Sequence, residues 1–316
     1  FNVQVLSADP PAPKAGQVWY NITSGTLKAY GQIGTGAWAS GGNVNTPRSD
    51  TSGLGIVTAA LILGGQPSSH YKVVESYNGT SWTTSPVAMN DNHFSVAGSA
   101  GTQTAAIVMG SWPATNQTET WNGASWTEVN AMNTSRDDAA AATKGTVTAT
   151  LVAGGGIPPP SMTDKVELWN GVSWTETTVL NEAKRGSGGA GTQNDALIWS
   201  GYPGAVGTEA WNGTAWTELT DMGQSRYHFG NSGLTSTSAM AAGGTYPPGN
   251  RLTIVEAWDG AAWTEVADLS SQREDQGGCG TAMAALVATG LGPAGTGTNV
   301  SEEWAIPTTT KTFTAS

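Results

Sequence analysis

Apolar and polar positions alternate in short runs along this chain, and the runs come back at a fixed distance. Five segments repeat Glu, any residue, an aromatic, Asn or Asp, Gly, two small residues, Trp and Thr, at 75–83, 119–127, 167–175, 209–217 and 256–264. Asn-Gly or Asp-Gly between two β-rich runs predicts a tight hairpin, because both residues tolerate positive φ. In 119–127, Trp121 closes one strand and Trp126 opens the next. A two-residue turn makes the pair diagonal and a four-residue loop makes it direct; either places both on one face, as packing between neighbouring units requires.

Two further strands precede each hairpin. The first opens near Arg48, Asn92, Arg136, Arg185, Arg226 or Arg273 and continues in Gly, Ala and Ser, which suits an innermost, crowded position. The second is apolar and ends in glycine, as in 59–65, 149–155 and 240–244. The aromatics Tyr30, Tyr77, Trp121, Trp169, Trp211, Trp258 and Trp304 lie 47, 44, 48, 42, 47 and 46 residues apart, the period of a propeller blade. The expected fold is all-β: a β-propeller of seven four-stranded blades over residues 17–316, closed by N- and C-terminal strands, after an extension over 1–16. Six blades is the alternative, with Trp38 completing the last and residues 17–30 packed outside.

The Gly-Gly after a strand, the Glu-x-aromatic strand and the spaced Trp resemble kelch repeats over roughly residues 17–315. The opening stretch Gly16, Gln17, Val18, Trp19, Tyr20, Asn21, then Gly25 to Tyr30 and Trp38, resembles a segment of bacteriophage tail-fibre and other virion proteins, of the kind found in marine phages. That resemblance implies a virion or extracellular setting, in a tail-associated host-recognition module or a capsid decoration.

Composition narrows the function classes. With 12% charged residues, 43 Gly and 14 Trp, the chain builds turn-rich β-structure around aromatic area. A net charge of −11 without a basic run argues against nucleic acid. No stretch is long and apolar enough for a membrane-spanning helix, and residues 1–14 lack the regions of a signal peptide. The lone Cys279, among glycines, reads as a small buried residue.

Candidate chemistry is sparse. His93 and His228 begin innermost strands of separate blades and do not make a metal set, and Cys279 has no adjacent Tyr for a copper oxidase of the galactose-oxidase type. Asn78 adjoins Gly79 directly, unlike the Asp-box of sialidases. The arginines and the Glu of each hairpin recur with the blade and read as scaffold, with Asp50, Asp137, Asp138, Glu274 and Asp275 pairing locally with the arginines. No cofactor, metal or catalytic residue is expected.

The loops after the glycine-ended strands and those joining blades share one face, vary in length, and carry His70, Tyr71, Trp112, Tyr202, Tyr246 and Arg251. Variable loops on a rigid scaffold are where binding residues collect. The expected function is therefore non-catalytic binding of a host surface glycan or protein, or of other virion proteins. The alternatives are an extracellular kelch-type glycan-active enzyme and a secreted lectin.

Overall fold

A computed structural model describes residues 3–14, 16–32, 35–67, 71–96, 98–158 and 161–313. The described strands form seven four-stranded sheets and one small two-stranded ribbon. The chain divides into two compact units, Trp38–Trp304, and Phe1–Ala37 together with Ala305–Ser316.

In the larger unit the innermost strands Ser52–Ile56, Gly98–Thr102, Ala140–Ala141, Gly188–Thr192, Gly230–Thr235 and Gly277–Thr281 touch one another in a closed cycle. This is a six-bladed β-propeller. Blades one to five each use consecutive segments, and blade six takes Gly277–Thr281, Ala284–Ala288 and Ser301–Ala305 from one end of the chain and Ala37–Ser40 from the other. All seven expected four-stranded sheets are present, but the ring follows the six-blade alternative, with Trp38 completing the last blade. The seventh sheet joins Gln4–Leu6, Val18–Asn21, Thr26–Gln32 and Thr308–Phe313. The termini do meet in one sheet, and it belongs to the smaller unit. The expected extension over residues 1–16 contributes its first strand, paired parallel to the second.

Each repeat residue has a physical task. Trp121 and Trp126 pair directly, as do Trp169 with Trp174 and Trp211 with Trp216, so the connecting loop has four residues. In it the Asn122 side-chain oxygen accepts from the backbone N–H groups of Ala124 and Ser125. The paired rings are buried between blades: Trp121 and Trp126 pack with Leu61, Leu63 and Val74 of blade one and Ala106 and Val108 of their own. Each such burial contributes about 2–3 kcal/mol. The first Trp of each pair donates its indole N–H to a carbonyl of its blade's inner hairpin, Trp121 to Gln103 and Trp169 to Val147. The glycines ending the second strand are forced by close approach: at Gly64, φ is +61° and a Cβ would lie 1.8 Å from the His93 carbonyl oxygen.

The repeated Glu is the hub of each blade. Glu75, Glu119, Glu167, Glu209, Glu256 and Glu302 are buried and pair with Arg48, His93, Arg136, Lys184, Arg226 and Arg273. Each carboxylate also accepts from backbone N–H groups of the strand-joining loop, as Glu167 does from Asn133 and Thr134. These bonds satisfy charges that would be prohibitive to bury alone. Two positions differ from the sequence expectation. The partner is His93 rather than Asn92, and Lys184 rather than Arg185, since a one-residue shift reverses which side chain enters the blade. The arginines pair with these Glu residues, not with the neighbouring aspartates.

Candidate functional site at the channel mouth

Two residues after each buried cation stands Asp50, Ser95, Asp138, Gly186, His228 or Asp275, and all six have left-handed backbone, with φ from +43° to +64°. Asp, Gly and His are among the residues that reach this region most readily. The conformation lets the blades join through the main chain. The N–H groups of Ser95, Asp138, Gly186, His228 and Asp275 donate to the carbonyl oxygens of Asp50, Ser95, Asp138, Gly186 and His228 at 3.1, 3.1, 2.6, 3.0 and 2.8 Å. Thr51 N–H donates to Asp275 at 3.4 Å and completes a hydrogen-bonded circle. The circle rims a channel of about 100 Å³ lined by Ser52, Ser99, Ser187 and Asn231 among other small or polar residues.

The side chains on this rim do not repeat. His228 Nδ1 lies 2.9 Å from Asp275 Oδ1, and its Nε2 lies 3.4 Å from Asp138 Oδ2. Burial alone would lower the His228 pKa, but the carboxylates of Asp275 and Asp138 outweigh it and raise the value well above the ordinary range. The two carboxylates thus favour the protonated ring and hold it between blades three and six. Asp50 accepts from the Ser49 and Ser95 hydroxyls at 2.8 and 2.9 Å. Burial, then the nearby Asp275, push its pKa up to about 6 against those hydrogen bonds. Asp137 is likewise raised to about 6, by burial and by Asp138. Cys279 is buried, and burial pushes its thiol up to about 12, far from a thiolate at neutral pH.

Around the rim, the residue preceding each left-handed position meets a residue from the variable loop of the same blade. Trp112 N–H donates to Phe94, and Tyr202 exchanges backbone hydrogen bonds with Arg185. Trp112 is 49% exposed and Tyr202 36%. Tyr71 stacks on Phe94 at 4.3 Å between ring centroids, and Phe94 tilts against Trp112 at 5.5 Å. Across the rim Tyr202 meets Tyr227 edge-on at 5.4 Å, with the Arg185 guanidinium 5.2 Å above the Tyr202 ring. Tyr246 lies in the hairpin formed with Asn250, and Arg251 Nε is 2.8 Å from Glu274. Of the sequence candidates, Tyr71 and Trp112 thus join one aromatic group, Tyr202 another, and Arg251 is held by an ion pair; His70 lies outside the described residues.

Sequence reasoning read Asp50, Asp138 and Asp275 as local partners of the arginines and His228 as too isolated for a metal set, and did not bring the four together on one rim. The available signal was their common offset from the buried cation combined with side chains that differ from blade to blade. Among the described residues, no group of three or more His, Cys, Asp or Glu side chains is arranged to hold a metal. No helix there is long and apolar enough to cross a membrane.

Comparison with known proteins gives the fold and no more. No family model matches the sequence, and no curated protein matches it. Among solved structures, the chain is similar to the one titled "Structure of YjhT", with 12% identity over 86% of this chain and 99% of that one, at a TM-score of 0.69. At that identity the likeness is one of architecture, a β-propeller shared by both.

Proposed function

We propose that this chain is a non-catalytic recognition module that binds a neutral, polyhydroxylated ligand, a glycan, across the mouth of its channel. The observation that supports this most is the non-repeating rim of Asp50, Asp138, His228 and Asp275 flanked by exposed Trp112 and Tyr202. Left-handed backbone explains why Asp occurs on the rim, but glycine would serve the backbone at no cost. Placing a carboxylate there is instead unfavourable, since burial first and the nearby Asp275 second raise the Asp50 pKa. A carboxylate kept where its charge is disfavoured points to use. Carboxylates accept sugar hydroxyls, and exposed aromatic faces stack on the apolar face of a pyranose.

Size favours a ligand held at the mouth. A channel of about 100 Å³ is smaller than the roughly 150 Å³ cavity that takes up one benzene, so a sugar ring would rest on the rim rather than inside. The acidic surface disfavours polyanions. The resemblance of residues 16–38 to phage virion segments is the ground for placing such a module on a particle, at the tail or as a capsid decoration, outside the cell. A second reading, a glycan-active enzyme, draws on the His228 and Asp275 contact, in which the ring would serve as acid and the carboxylate as base.

A glycan array with the intact chain should show neutral glycans bound, with binding lost in Trp112→Ala and Tyr202→Ala while the fold is kept. Absence of any glycan binding overturns the proposal. Turnover of a bound glycan that disappears in His228→Ala would establish the enzyme reading instead. Mass spectrometry of purified particles, finding or failing to find the chain at fixed stoichiometry, decides the virion setting.

A further inference from the structure

The smaller unit carries an apolar face of its own. Register across its sheet sets Val5 opposite Tyr20, Tyr20 opposite Leu27 and Leu27 opposite Phe313, and directly opposed residues share a face. A single stripe therefore crosses all four strands. All of its members are open to solvent: Val5 67%, Tyr20 39%, Leu27 37% and Phe313 53% exposed. Strand alternation adds Val3, at 43%, to the same side, and Ile22, at 56%, lies just past the end of the Tyr20 strand. The opposite side is treated differently. There Asp9 accepts from Trp19 Nε1 at 3.0 Å and Asn21 at 2.7 Å and pairs with Lys28 at 2.6 Å, so the segment after the first strand covers that face and Trp19 is fully buried.

We infer that this stripe is the interface between two copies of the chain. A sheet with one apolar face is stable when that face is covered by a second layer. The four described strands of this unit form a single layer, which encloses no core on its stripe side, and Cys279, the sole cysteine, lies outside the unit. Area selects the occupant. With roughly 150–200 Å² per side chain of this size, the exposed fractions leave on the order of 500 Å² of apolar surface, the size of the largest patch on a typical monomer, which is often a functional one. Two such patches face to face bury about 1,000 Å², the lower bound for a specific association. The patch has almost no charge, Lys311 excepted, so it complements itself better than it complements a charged partner, and a two-fold axis through Tyr20 and Leu27 sets like on like.

Sedimentation equilibrium of the full chain across the micromolar range should give the mass of two copies. The double variant Val5→Asp, Phe313→Asp should halve that mass with the far-UV circular dichroism unchanged. Should that variant fail to fold, cysteine cross-linking decides. Leu27→Cys, at the patch centre, should form an intermolecular disulfide on oxidation, whereas Thr310→Cys, exposed on the opposite face of the sheet, should not. A single-copy mass at every concentration, a dimer unaffected by the double variant, or equal cross-linking from both cysteines would overturn the inference.

Discussion

Gly186 lies directly beneath the His228 ring: a Cβ on this glycine would come 2.6 Å from His228 Cδ2. At the left-handed position blade four has no side chain, and that gap is what lets the His228 ring of blade five reach Asp138 of blade three at 3.4 Å while holding Asp275 of blade six at 2.9 Å. The rim residue that looks least functional therefore positions the most unusual one.

Gly186→Ala should separate His228 from Asp138. The methyl group fills the space under the ring, and at φ +64° an L-residue costs roughly 1–2 kcal/mol as well. The imidazole pKa should fall toward the ordinary histidine value, as it should in Asp138→Asn, which leaves the backbone alone. NMR titration of the His228 ring protons measures both, and an unshifted titration in the two variants would refute this account of the contact.

The raised carboxyl of Asp50 makes stability depend on pH in a definite direction. Its folded value of about 6 stands above the ordinary 3.8, so between these two pH values the folded chain holds a proton that the unfolded chain releases. Stability from this group therefore falls as pH rises from about 4 to about 6, and the loss persists above. Asp50→Asn keeps the shape and tolerates left-handed backbone, so it should stabilise the chain at pH 7.5 by on the order of 1–2 kcal/mol and leave it nearly unchanged at pH 4. Melting temperatures of the two proteins at the two pH values provide the check; an equal difference at both would show that the Asp50 charge is not the cause.

Particular residues show what could be read in advance. The hairpins were legible because Asn122 and Gly123 specify a turn and Trp121 and Trp126 had to share a face, though only coordinates chose the four-residue loop. The ring count was less accessible. Tyr30 sits one period before Tyr77, yet its strand has no innermost partner and pairs with Thr308–Phe313, so the period continues into the sheet of the smaller unit. Lys184 and Arg185 are adjacent cations, and the sequence does not say which one the pleat turns inward. The rim was hidden for a different reason: Asp50, Asp138 and Asp275 stand two residues after Arg48, Arg136 and Arg273, inviting a local pairing that the strand direction forbids, since each cation points into its blade toward Glu.

The buried pairs should respond unequally to loss of each partner. Arg136 donates to Glu167 at 2.7 Å and to the carbonyl oxygens of Gly154 and Lys165 at 2.8 and 2.9 Å. Arg136→Met strands a buried carboxylate and should cost about 3–5 kcal/mol. Adding Glu167→Gln removes that charge while its one amide oxygen, turned toward the loop, still accepts from the Asn133 N–H, though not from Thr134 as well, and should recover part of the loss. Urea unfolding midpoints of the single and double variants test this. A double variant as unstable as the single one would mean that the lost carbonyl bonds, not the stranded charge, carry the cost.

Closure of the ring rests on the strand Ala37–Ser40, the one part of blade six drawn from the other end of the chain. Trp38 anchors it, with its ring 5.6 Å from Trp304 and its indole N–H donating to the Ala267 carbonyl at 3.0 Å. Because Trp38 is only partly buried, Trp38→Ala should cost about half of the roughly 3–5 kcal/mol expected for a fully buried tryptophan. The damage should be local before it is global: freed of its outer neighbour, Ser301–Ala305 becomes an edge strand. Amide hydrogen exchange should then quicken first in Ser301–Ala305, while Val166–Trp169 on the far side of the ring keeps its protection. Uniform acceleration in all six blades would instead show that the ring opens only as one cooperative unit, and that the closing strand is no weaker than the rest.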